Sequence, residues 1–203
     1  GCTRITGDIG DALQNLVNLK SVNFTECGNI TSNINQATFD NFCGAEMLNL
    51  EGTQLEFAGW AIAKYKECGR HLEELKDVPT DIKGSINVIE FMGSDLRVLN
   101  LSGCKDITCD IGDALRNLVN LESVDFTECE NITGDIGVAL QNKFNLESVN
   151  FNSCGEITGD IGVKSLATSV NALRALQNKF NLESVNFNSC GEITGTFTGT
   201  VVR

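Results

Sequence analysis

The chain has 203 residues and carries 15 basic against 27 acidic side chains, a formal net charge of -12. That balance repels a phosphate backbone or an anionic lipid surface unless basic residues cluster, and they do not. Hydrophobic residues make up 41% of the chain, yet no run approaches the ~18 apolar residues of a membrane span, so nucleic-acid binding and direct membrane insertion are set aside.

The chain opens at Gly1 with no charged-then-apolar leader, which reads as a processed product or a fragment of a longer chain. Cys2 to Ile9, C-T-R-I-T-G-D-I, starts in the middle of a unit whose strand is missing. The first full strand is Leu19 to Phe24, with Leu19, Val22 and Phe24 inward, followed by Cys27 and Ile30 turning the chain back. Asn35 to Cys43 carries Phe39, Phe42 and Cys43 at helical spacing and ends at Gly44, which predicts a short helix with a glycine stop.

Residues 45–95 are irregular. Ala45, Leu48 and Leu50 take inward places, with Thr53 where a cysteine is expected. Thr53-Gln-Leu-Glu56 reads as a capping box opening a helix whose face is Leu55, Ala58, Ile62 and Tyr65, stopped by Gly69. A weaker strand follows at Leu72 to Asp77, with Pro79 and Thr80 after it.

From residue 96 to 203 the pattern is regular. Copies of L-x-x-V-x-F-x-x-C-x-x-I-T-G-D-I-G-x-A-L start at Leu96, Leu121 and Leu146, 25 residues apart. Such a period is the mark of a repeat architecture, so one elongated solenoid domain over residues 1–203 is expected. Lys143 stands where Leu118 stands one copy earlier and Phe144 where Val119 stands, so the inward aromatic is expected to shift by one residue. Residues 139–159 and 175–195 are identical, which reads as a recent internal duplication or an error of sequence assembly. Between the copies lies an 11-residue insertion at 164–174, about three helical turns, with Leu166, Val170, Leu173 and Leu176 on one face. The last residues, Thr196 to Arg203, supply no polar cap, so more chain or a partner is expected to cover that end.

Six of the nine cysteines (Cys2, Cys27, Cys104, Cys129, Cys154 and Cys190) share one repeat position. Equivalent side chains one strand spacing apart point in parallel, poor geometry for a disulfide, so they read as a row of buried thiols. A reducing compartment is favoured over a secreted one.

The unit resembles the leucine-rich repeat, L-x-x-L-x-L-x-x-N/C-x-L. Its ninth-position cysteine is similar to the cysteine-containing class and its I-T-G-D-I-G tail to the plant-type class. The resemblance implies a right-handed α/β superhelix. One concave parallel sheet of about seven short strands would back onto a convex side of short helices, 3-10 turns and loops. It also implies protein binding through side chains between the inward leucines.

Two candidate surfaces follow. On the concave face the outward columns hold Glu122, Ser123, Asp125, Glu147, Asn150, Glu183 and Asn186, suited to a basic or polar partner. In the irregular middle sit the sole tryptophan, tyrosine and histidine, Trp60, Tyr65 and His71, with Met92 nearby; such anchors suit an interface and equally suit an uneven core. No catalytic residue, metal site or cofactor is expected: Cys68 and His71 lack a second pair of zinc ligands, and no nucleophile or phosphate-loop motif is present. The expected function is a non-catalytic protein-interaction scaffold, adaptor or subunit of a larger assembly, with unknown protein partners. The alternative is a ligand-binding receptor ectodomain or adhesin. Sequons at Asn23, Asn29, Asn100 and Asn131 bear on that choice.

Overall fold

The computed structural model describes residues 4–31, 34–160, 183–190 and 193–194. Cys2, the 164–174 insertion with its apolar face, and the end from Thr196 lie outside the described residues.

In chain order the elements are β1 (Gly7–Asp8), α1 (Ile9–Leu13), β2 (Ser21–Asn23), β3 (Ile30–Thr31), α2 (Gln36–Gly44), β4 (Met47–Asn49), α3 (Glu56–Glu67), β5 (Glu74–Leu75) and β6 (Gly84–Ser85). A 3-10 turn at Asn87–Phe91 follows, then β7 (Val98–Asn100), β8 (Ile107–Asp110), α4 (Ile111–Ala114), β9 (Ser123–Asp125), β10 (Ile132–Asp135) and α5 (Ile136–Ala139). The described part closes with β11 (Ser148–Asn150), β12 (Glu156–Asp160), β13 (Ser184–Asn186) and β14 (Ile193–Thr194).

These strands form several parallel sheets. Two have five strands, in the orders β13-β11-β9-β7-β5 and β14-β12-β10-β8-β6, and two are pairs, β2-β4 and β1-β3. The expected right-handed superhelix with one sheet of about seven strands is therefore overturned; the fold is α/β with separate parallel sheets and, among the described residues, five helices. Two physical reasons account for the difference. The I-T-G-D tail, read from the sequence as a return turn, is extended and pairs with its neighbours, as in Gly134 opposite Ile157 and Gly7 opposite Ile30. In the irregular middle, α3 intervenes between β4 and β5, which do not pair, so the first row of strands divides into two and five.

The inward residues make one hydrophobic cluster from Ile9 to Ile157. Register places Leu99, Val124 and Val149 side by side, all fully buried. Phe126 and Phe151 stack at 5.2 Å and Phe151 and Phe187 at 6.0 Å. Each such side chain contributes roughly 1.5 to 3 kcal/mol, less than ordering a whole repeat costs, so stability comes from neighbouring repeats in contact.

The cysteine row is as the spacing suggests. Cys43, Cys68, Cys104, Cys109, Cys129, Cys154 and Cys190 are free thiols. Cys104 donates to Pro79 O, Cys129 to Leu101 O, Cys154 to Phe126 O and Cys190 to Phe151 O, each reaching back to the preceding repeat. Thr53 takes the same place in the irregular repeat, but its hydroxyl donates locally to Leu50 O at 2.6 Å.

That use of Thr53 undoes the expected capping box. Thr53 Oγ1 accepts from Leu55 N, and α3 begins at Glu56 with Leu55 as an N-cap that offers no side-chain bond. By contrast, α2 begins as expected, with Asn35 accepting from Thr38 N.

The shift expected at Lys143 and Phe144 does not occur. Lys143 is fully buried and Phe144 is 60% exposed. Leu140 and Leu146 on either side are both buried, and they fix the backbone register so that the slot of Leu118 faces inward whatever residue fills it.

Candidate functional site

The outward face of the large sheet carries the first candidate. Glu147 and Glu183 are exposed, while Glu122 and Ser123 are half-buried. Glu147 N donates to Glu122 O and Glu183 N to Glu147 O, so the three glutamates sit in successive rows. Arg97, one row earlier, approaches Glu122 at 3.4 Å; Arg97 is exposed and Glu122 only half-buried, so solvent screens the pair and it contributes little.

Asp125, Asn150 and Asn186 stand apart from the glutamates. Register aligns them with one another and with Asn100. Asp125 Oδ1 accepts from Thr127 N at 2.8 Å, Asn150 Oδ1 from Asn152 N at 3.1 Å and Asn186 Oδ1 from Asn188 N at 3.0 Å. Asn23, Asn49 and Asn100 make the same bond. Each is an Asx turn that ends the strand, so one oxygen of every member is committed to local structure. The turn then passes through a left-handed residue before the cysteine: Glu26, Gly103, Glu128, Ser153 or Ser189. A readable signal exists, since an Asn or Asp recurs at this place in N-F-T, N-L-S, D-F-T and N-F-N.

Next to Glu122 the structure shows residues that the sequence reading missed. Glu73, Asp95, Arg97, Asn120 and Asn145 join it around a polar hollow of about 220 Å³. Asn120 Nδ2 donates to Ser94 O, and Asn145 Nδ2 reaches Asn120 Oδ1 at 3.5 Å. They precede their strands, where alternation carries no signal.

The irregular-middle residues do not converge. Met92 is buried in the core and offers no surface. Tyr65 is half-buried, its ring 5.7 Å from Phe39. His71 is exposed, with Nδ1 hydrogen-bonded to Asp95 Oδ2 at 3.0 Å. Trp60 is half-buried, 6.1 Å from Phe57, at the start of α3.

Electrostatics inside the core are governed by burial. It pushes the Cys154 thiol up to about 12 and Cys43 to about 11, and raises Cys104, Cys109 and Cys129 as well. Such thiols stay protonated and unreactive. Among the described residues no group of three or more His, Cys, Asp or Glu could hold a metal ion, and no helix is long and apolar enough to cross a membrane. No family model matches the chain, and no curated protein matches it.

Proposed function

We propose that the chain is a non-catalytic protein-interaction scaffold, an adaptor or a subunit of a larger assembly. The reading is carried by the row of Glu122, Glu147 and Glu183 on a backbone-bonded sheet. Neighbouring strands lie roughly 4.8 Å apart, so three like charges are held close on a rigid surface with Arg97 as the facing cation at one end. A basic partner surface would relieve that repulsion, and it would find the carboxylates already ordered. The resemblance of the repeat to leucine-rich repeats, whose members mostly bind proteins, points the same way.

The test is capture of partners from native extract with the wild-type chain and with a Glu122→Lys, Glu147→Lys, Glu183→Lys variant. The expected result is a defined set of co-migrating proteins lost from the variant. An identical set on both chains, or none on either, would sink the reading.

A further inference from the structure

The break between β4 and β5 holds a hollow of about 310 Å³ that neither sheet covers. Leu48, Leu50, Trp60 and Ile82 give it an apolar lining. Glu51, Glu56 and Asp81 stand around them, and among the described residues no lysine, arginine or histidine lines it. None of these three carboxylates enters an ion pair among the described residues, whereas Glu128 and Glu130 share Lys105. Along one side runs β4, which is bonded to β2 through Met47 and Asn49 and is unpaired on its other edge. In a parallel ladder alternate residues bond to opposite neighbours, so Leu48 presents its N–H and C=O toward the break.

We propose that this break is a docking groove for an extended basic segment of a partner protein. The free edge of β4 supplies main-chain hydrogen bonds, as in strand addition to an exposed sheet edge. The aliphatic stems of lysine or arginine lie on Leu48, Ile82 and the Trp60 indole, and their cationic ends reach Glu51, Glu56 and Asp81. A partner of the opposite charge would meet three carboxylates with no compensating cation. The groove shares with the sheet-face reading a basic protein partner, but not the residues that would hold it. Its test uses a synthetic peptide, so either reading can fail alone.

Trp60 is the chain's only tryptophan, so its emission reports on the groove directly. The probe is a short peptide of alternating lysine and valine, with a glutamate–valine peptide as control, titrated at physiological salt. The lysine peptide is expected to shift or quench Trp60 emission saturably, and the control to leave it unchanged. A Glu51→Lys, Asp81→Lys variant, altered only at exposed positions, is expected to bind the labelled peptide about 10-fold more weakly or worse, whereas Glu147→Lys on the sheet face leaves affinity intact. An unchanged Trp60 signal, a response to the acidic peptide, or equal weakening by Glu147→Lys would overturn the proposal.

Discussion

Lys143 shows how a single side chain can oppose the fold that holds it. Its Nζ is buried without a hydrogen-bond partner among the described residues, and burial lowers its pKa from 10.5 to about 8. The folded chain therefore gives up this proton near pH 8, while the unfolded chain keeps it to about 10.5. Between those values unfolding takes up a proton, so stability rises with pH across that window, and below pH 8 the penalty stands in full. Lys143→Leu, restoring the residue of the Leu118 slot, is expected to stabilise the protein by roughly 3 kcal/mol at pH 7 and by much less at pH 10. Denaturant midpoints of both chains at the two pH values check this; parallel pH profiles would refute it. A second expectation concerns the thiols. With alkylating reagent at pH 8 and peptide mapping by mass, exposed Cys68 is modified, whereas buried Cys129 and Cys154 react only after unfolding. The inward leucines are legible in the sequence because their spacing repeats. Lys143 is not, because a polar residue at an inward slot reads as a change of register.

At the scale of elements, the I-T-G-D tail couples one repeat to the next. Asp110 Oδ1 accepts from Gly112 N and Asp113 N, and Asp135 Oδ1 from Gly137 N and Val138 N, capping α4 and α5. Each carboxylate lies against the glycine of the following repeat. A Cβ on Gly134 would meet Asp110 Oδ1 at 2.7 Å, and one on Gly159 would meet Asp135 Oδ1 at 2.9 Å. Both glycines also hold positive φ, +109° and +125°. Cys109 stands at the same place in its own repeat with φ outside that region, and the repeat before it has Ser85 in place of the aspartate. Gly134→Ala is accordingly expected to cost about 2 kcal/mol or more. In an Asp110→Ala background the contact is gone and only the backbone strain remains, giving a coupling of about 1 kcal/mol in a double-mutant cycle read by denaturant unfolding. Strictly additive costs would remove the contact from the account. The strand character of this tail is hidden in the sequence because strands of two to five residues are too short to show alternation.

Across the whole molecule the first row of strands is legible and its division is not, because pairing depends on what α3 displaces. The division has a measurable result. Phe24 N and Glu26 N donate across the β2-β4 pair, while Leu101 N, Phe126 N and Glu128 N donate inside the five-stranded sheet. The first group is expected to exchange its amide hydrogens at least ~10-fold faster, because a two-stranded unit opens at lower cost. Uniform protection across both groups in a hydrogen-exchange experiment would mean that the break carries no energetic weight. The contact between Asp110 and Gly134 also acts as an ordering rule for inheritance. A repeat that carries both the glycine and the aspartate fits behind a copy of itself, so tandem duplication of such a repeat brings no steric conflict. A repeat like that of Cys109 fits only behind one lacking the carboxylate. The chain can lengthen by copying far more readily than by shuffling.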